Sequence, residues 1–252
     1  MERWVGKVAV VTGANAGIGA AIVAALVSEG LVVAGFDRRI ERIEELAKKL
    51  EAPKAKGKLH AVKVDMTKEN EIIDGFNWVK KNLGSIHVLV NNAGVGRYGE
   101  LIDSDTQMWK DIFDTNVIGL SIATREAVKD MRANNVDGHI IHINSIVGHQ
   151  VLNFPSANAY PASKFAVTAL SETLRHEFIQ NKLKIKITSL SPGYVKTEFA
   201  EAGGLVIEPD SPFLKAEGLN AEDIANSVLY VLGTPPHVQI QELTIRPVGD
   251  QY

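Results

Sequence analysis

The run Val8-Ala9-Val10-Val11-Thr12-Gly13-Ala14-Asn15-Ala16-Gly17-Ile18-Gly19-Ala20-Ala21-Ile22-Val23-Ala24-Ala25-Leu26 decides the architecture of this chain. It opens as an apolar strand and closes on helix-forming residues, with three glycines at the turn between them. Glycine lets the backbone bend sharply and approach a ligand closely. The N–H groups and dipole at the start of the following helix favour a phosphate. A Walker phosphate loop would end in Gly-Lys-Ser/Thr, whereas Gly19 is followed by Ala20, so a kinase or ATPase reading loses its lysine. Glycines alone would make a plain tight turn. Set between a strand and a helix, they are a dinucleotide-binding signal.

The same alternation continues outward. Val8–Val11 is followed by a helical pattern over Ala20–Gly30, Val32–Phe36 by Ile40–Leu50, and His60–Val64 by Glu69–Leu83. Val88–Val90 leads into Thr106–Asn134, His139–Ile143 into Pro161–Gln180, and Ile185–Leu190 and Leu243–Arg246 complete the series. Near-continuous Val/Ile runs suit strands buried on both faces. Strand–helix alternation implies right-handed crossovers. The expected fold is therefore α/β: a doubly wound parallel sheet of about seven strands with helices on both faces. No linker or repeat divides the sequence, so one domain over 1–252 is expected. The least regular stretch, Gly203–Gly218, is long for a loop and reads as part of a lid near 198–218.

Composition removes several function classes. The 252 residues carry 27 basic and 30 acidic side chains, a net charge of −3, which lacks the basic excess of a nucleic-acid binder. Lys54, Lys56 and Lys58 form the densest basic run and read as a solvated loop. Without cysteine there is no disulfide framework, thiolate metal site or cysteine nucleophile. No apolar run is long enough to span a membrane, and Met1–Lys7 lacks an apolar signal core. A soluble cytoplasmic protein is the expectation.

Asp37 closes the second strand at the spacing of an acidic residue that bonds ribose hydroxyls. A carboxylate there favours NAD, whereas Arg38 and Arg39 could pair with the 2′-phosphate of NADP. Tyr160 and Lys164 are four apart and share a helical face. Phenols titrate near ~10, and a lysine ammonium nearby lowers that value. Ser145 lies just past the strand His139–Ile143, where open α/β sheets place ligands. It lacks the Gly-x-Ser-x-Gly elbow of a hydrolase.

Taken in order, these motifs resemble the short-chain dehydrogenase/reductase family over essentially the whole chain. They are Thr12-Gly13-x-x-x-Gly17-x-Gly19, Asp65, Asn91-Asn92-Ala93-Gly94, Asn116, Ser145, Tyr160-x-x-x-Lys164 and Pro192-Gly193 with Thr197. Met1-Glu2-Arg3-Trp4, Asp137-Gly138-His139-Ile140-Ile141, Phe165–Leu170 and Ile245-Arg246-Pro247 are similar to an animal branch. That branch holds insect farnesol dehydrogenases and a vertebrate carbonyl/17β-steroid reductase. Its members tend to carry a neutral residue where Asp37 stands, and to use NADP.

The resemblance implies a Rossmann-like fold and hydride transfer between a nicotinamide cofactor and an alcohol/carbonyl pair. It implies Tyr160 as general acid/base, Ser145 on the substrate oxygen, Lys164 on the nicotinamide ribose, and Asn116 holding a water that links Lys164 to solvent. For the cofactor it implies Gly13, Asn15, Gly17, Ile18 and Gly19 around the pyrophosphate and Asp37 and Arg38 at the adenosine ribose. Asp65 and Met66 would border the adenine, and Asn92 the second ribose. Pro192, Gly193, Val195 and Thr197 would meet the carboxamide, with no metal required.

His149 and Tyr194 are candidate substrate contacts. Phe199, Leu205, Val206, Ile207, Phe213 and Leu214 suit a lipophilic substrate, such as farnesol or a steroid ketone. The alternatives are a 3-oxoacyl thioester reductase, which Lys196 and Lys215 keep open, and a non-catalytic dinucleotide-binding protein. Homodimers or homotetramers pairing the long helices are implied as well.

Overall fold

The computed structural model describes residues 1–51, 56–153, 156–205 and 217–250. The strands are β1 (Val8–Thr12), β2 (Val32–Asp37), β3 (Lys58–Lys63), β4 (Ile86–Asn91), β5 (His139–Ile143), β6 (Lys186–Pro192) and β7 (Glu242–Ile245). They form one seven-stranded parallel sheet in the order β3-β2-β1-β4-β5-β6-β7. The described helices are α1 (Gly17–Ser28), α2 (Ile40–Leu50), α3 (Glu69–Asn82), α4 (Thr106–Phe113), α5 (Leu120–Ala133), α6 (Tyr160–Gln180), α7 (Phe199–Ala202) and α8 (Ala221–Gly233).

Side chains alternate across a strand, so β1 feeds two cores. Ala9 and Val11 meet Ile22 and Leu26 of α1, Ile43 of α2, and Ile224 and Val228 of α8. Val8 and Val10 belong to the opposite core with Ile72 and Phe76 of α3, Ala123 and Ala127 of α5, and Phe178 of α6. Phe36 and Phe76 meet edge to face at 5.4 Å. Each fully buried Ile, Leu or Phe stabilises the fold by roughly 1.5–3 kcal/mol. Truncating Phe76 to alanine is expected to cost about 3–5 kcal/mol.

The strand order reverses between β1 and β4, which opens a crevice at their carboxyl ends. The sheet and most helices fall where the sequence places them, with ends shifted; α1 begins at Gly17 rather than Ala20. Two differences matter. The alternation does not predict α8, although Asn220 and Asp223 form a reciprocal cap ahead of buried Ile224, Val228, Val231 and Leu232. The expected continuous helix over Thr106–Asn134 is instead interrupted by a π-helical turn, Asp114–Gly119. Gly119 lies there against the Met66 carbonyl oxygen, where a Cβ would collide. Among the described residues, no helix is long and apolar enough to cross a membrane.

Candidate active site

A cleft of about 1360 Å³ runs along the carboxyl ends of the strands, from the glycine turn to Val248. Its floor is held tightly. Thr12 Oγ1 accepts from the backbone N–H groups of Asn92 and Ala93 at 3.1 and 3.0 Å. Asn92 Nδ2 donates to the Thr12 and Gly13 carbonyls, both at 3.0 Å. A Cβ on Gly13, whose φ is +66°, would lie 2.9 Å from Ala93 Cα. On Gly19 it would strike the Gly13 carbonyl oxygen and stand 2.5 Å from Asn92 Nδ2. Helix α1 starts with no side-chain cap and no acidic residue in its first turn. Its first N–H groups therefore suit a phosphate. The turn fits the pyrophosphate of a dinucleotide.

At the adenosine end, Asp37 Oδ1 accepts from Asn15 Nδ2 at 2.8 Å and from the Arg39 N–H at 2.9 Å. Burial raises the Asp37 carboxyl, against the opposing pull of Arg39 and Arg38. Arg38 lines the cleft, exposed, and forms no salt bridge among the described residues. Asp65 Oδ1 accepts from the Thr67 N–H and hydroxyl at 2.9 and 2.8 Å. Burial pushes the Asp65 carboxyl up, yet these bonds and nearby Lys68 and Arg38 bring it below its usual value. Met66 is buried beside it.

The opposite end gathers Ser145, Tyr160 and Lys164. Ser145 leaves β5 in extended conformation, accepts from the Val147 N–H at 3.2 Å, and hydrogen-bonds the Tyr160 phenol. Tyr160 opens α6 with Pro161 in the first turn, where its missing N–H costs nothing. Lys164 is one turn on, its Nζ 5.7 Å from the Tyr160 ring centre and 2.9 Å from the Ile143 carbonyl oxygen. Burial lowers its pKa to about 8.

The expected lowering of the Tyr160 phenol is corrected here. Burial dominates and raises it, Tyr98 adds to the rise, and the Ser145 hydrogen bond only partly opposes them. The Lys164 ammonium points instead at a backbone carbonyl.

Asn116 sits in the π turn at 1% exposure. Its Oδ1 accepts from the Val95 N–H at 2.8 Å, and its Nδ2 donates to the Val95 carbonyl and to Ser163 Oγ at 3.0 and 3.1 Å. The side chain therefore fixes α6 to the loop after β4. Asn92 likewise clasps the glycine turn.

His149 is not among the cleft-lining residues. Its Nε2 lies 2.9 Å from Ser191 Oγ and 3.2 Å from Glu242 Oε1, which turns it towards β6 and β7. The structure thus corrects its placement against substrate. Tyr194 does line the cleft. Pro192, Gly193, Val195 and Thr197 form its rim, and Thr197 Cγ2 approaches the Cβ position of Gly17 at 3.1 Å. Phe199 lays its ring 5.5 Å from that of Tyr160. Leu205 also faces the cleft, while Val206, Ile207, Phe213, Leu214 and Lys215 lie outside the described residues.

Sequence reasoning missed Tyr98, a raised phenol packed close to Tyr160, and Glu198. Tyr98 follows the Asn91–Gly94 motif closely, a positional signal that could have found it. Among the described residues, no cluster of His, Asp and Glu could hold a metal ion.

A chain built this way can lay a dinucleotide along its strand ends and bring one phenol to the far end of it. That is the architecture of a nicotinamide-dependent oxidoreductase acting on alcohols and carbonyls. The comparisons narrow the class. A family model described as short chain dehydrogenase matches residues 7–204. The chain is 51% identical to a farnesol dehydrogenase of Aedes aegypti, with both chains covered in full. It is 42% identical to dehydrogenase/reductase SDR family member 11 of Gallus gallus, over 98% of each.

Among solved structures, an alcohol dehydrogenase of the archaeon Thermococcus sibiricus, complexed with 5-hydroxy-NADP, superposes with a TM-score of 0.83 at 26% identity. That match covers 98% of both chains. A short chain dehydrogenase/reductase of Burkholderia phymatum in complex with NAD gives 0.84 at 27% identity, covering 97% of this chain and 90% of that one. The chain belongs to the short-chain dehydrogenase family.

Proposed function

We propose that the protein interconverts a lipophilic alcohol and its carbonyl, with an isoprenoid alcohol such as farnesol as the substrate class and NADP as the cofactor. The convergence of Ser145, Tyr160 and Lys164 on the cleft that begins at the glycine turn carries this reading. The bound nicotinamide supplies the hydride donor or acceptor. Ser145 holds the substrate oxygen beside the Tyr160 hydroxyl. Tyr160 donates its proton to that oxygen in reduction and takes it back in oxidation. Burial raises the phenol and so favours its protonated form. Lys164, at the foot of the cleft, would hold the nicotinamide ribose, and Asn116 keeps α6 in place.

Val95, Val147, Leu152, Phe199, Leu205 and Val248 give the substrate end an apolar wall. With the 51% identity to a farnesol dehydrogenase, that wall supports a lipophilic substrate. NADP is favoured because Asp37 Oδ1 is engaged by Asn15 and Arg39 while Arg38 stands exposed at the mouth. The cysteine-free sequence suits the cytoplasm, and a homodimer or homotetramer fits the family pattern.

The test mixes purified protein with farnesol and either NADP or NAD and follows reduced nicotinamide by absorbance. Turnover with NADP is expected. Failure with farnesol, with steroid ketones and with small carbonyls in both directions would overturn the enzymatic reading.

A further inference from the structure

Three arginines, Arg38, Arg39 and Arg42, stand at the adenosine end, and a carboxylate from the segment after β6 reaches two of them. Arg42, in the first turn of α2, donates from Nη1 to Glu198 Oε1 at 2.7 Å. Arg39 Nη2 lies 3.8 Å from the same oxygen and 3.1 Å from Asn15 Oδ1. Glu198 stands between Thr197, which borders Gly17, and Phe199, whose ring rests on Tyr160. The ion pair therefore joins the adenosine wall to the segment that borders the reacting end.

We infer that Glu198 discriminates between the two cofactors: its carboxylate occupies, from within the chain, guanidinium groups that a 2′-phosphate on the adenosine ribose would recruit. This rests on the reading of Arg38 as the first receptor of that phosphate. NADP brings a doubly charged group beside Arg38 and Arg39. To recruit Arg39 or Arg42 fully, it must displace Glu198 or bind next to its negative charge. Both routes weaken NADP binding. NAD carries no such group and leaves the pair in place. The side chains are about half exposed, at 48% for Arg39 and Arg42 and 42% for Glu198, so the pair exchanges readily and the effect is modest.

The test is equilibrium binding of NADPH and NADH, read by cofactor fluorescence without substrate, for the wild type, Glu198→Gln and Glu198→Asp. Glu198→Gln is expected to tighten NADPH by about two- to fivefold, the range spanned by an exposed ion pair, with NADH unchanged. Glu198→Asp, which keeps the charge, is expected to stay near the wild type. The gain should shrink at high salt, where exposed charges are screened.

Equal shifts for both cofactors, or no shift for NADPH, would sink the assignment; an equal shift would mean that Glu198 merely shapes the segment. The wild-type ratio separately tests the underlying reading. If NADH binds more tightly than NADPH, Arg38 is not a 2′-phosphate receptor, while the change in NADPH affinity still decides the role of Glu198.

Discussion

The two ends of the cleft are built from opposite materials. Around Tyr160 the groups are buried or half-buried, and hydrogen bonds fix them, most of them between neutral partners. Asn144 Nδ2 donates to Thr168 Oγ1 at 2.8 Å and Ser189 Oγ at 3.2 Å, and Thr168 Oγ1 donates to the Gly148 carbonyl at 2.9 Å. These bonds tie the Ser145 end of β5 to the helix that carries Tyr160 and Lys164. Around Asp37 the charged partners Arg39, Arg42 and Glu198 are about half exposed, and ion pairs hold them. Buried neutral networks are costly to break and hold one geometry. Exposed ion pairs are weak and exchangeable. On the proposed reading, the chemistry is placed at the more rigid end, and the choice of cofactor at the end where single charges can retune it.

The sharpest way to break this contrast is at Tyr160. Tyr160→Phe is expected to reduce turnover by about 10²–10⁴-fold, the range of general acid/base catalysis, with NADPH affinity unchanged by fluorescence titration. Retained turnover would remove Tyr160 from the reaction.

Lys164→Met should also abolish turnover while leaving the melting temperature no lower than the wild type. A pKa lowered from 10.5 to about 8 corresponds to about 3 kcal/mol of folded-state cost at neutral pH. Below pH 8 the lysine is protonated in both folded and unfolded chains, and the whole cost is present. From pH 8 towards 10.5 the folded lysine loses its proton first, and the cost fades. The stability gap between variant and wild type should therefore narrow through that window, and calorimetry across pH checks it.

Asn144→Ala is expected to cost about 1–3 kcal/mol of stability by leaving partners unsatisfied. It should lower kcat by about tenfold, because a small misplacement of reacting groups is enough, with NADPH affinity near the wild-type value. A stability loss with kcat intact would show that the buried network does not position Ser145.

At the adenosine end the changes should be smaller and confined to cofactor choice. Arg38→Ala is expected to weaken NADPH by about tenfold, the loss of one charge-assisted contact worth about 1.5 kcal/mol, and to leave NADH alone. Asp37→Ala should favour NADPH only a few-fold, because Asn15 and Arg39 already engage that carboxylate. A large Asp37 effect would mean that its charge dominates the mouth.

The fold and the chemical groups were legible because local pattern specifies them. Glycines that a Cβ would drive into Ala93 or Asn92 have to be glycine, and Tyr160 and Lys164 share a face because four residues make about one helical turn. What depends on the surroundings was not legible. The direction of the Tyr160 shift is set by burial, and the turn of His149 by Ser191 and Glu242 from two other strands. Arg42 and Glu198 are separated by 156 positions, and nothing local to either announces the other. Helix α8 is a different case. Its reciprocal cap was present in Asn220 and Asp223, but the stretch before it hides the start.

The order of the strands bears on how the chain can be made. β2 adds to β1, β3 to β2, β4 to the other side of β1, and then β5, β6 and β7 each to the strand before. Every strand that emerges during synthesis thus finds its docking edge already laid, and none must be threaded between neighbours already paired. Of the two border strands, β7 has only four residues, whereas β3 has six, with exposed lysines, Lys58 and Lys63, at its two ends. One border of the finished sheet is therefore a stub and the other carries charge at both ends, which gives neighbouring nascent chains on a polysome little to grip.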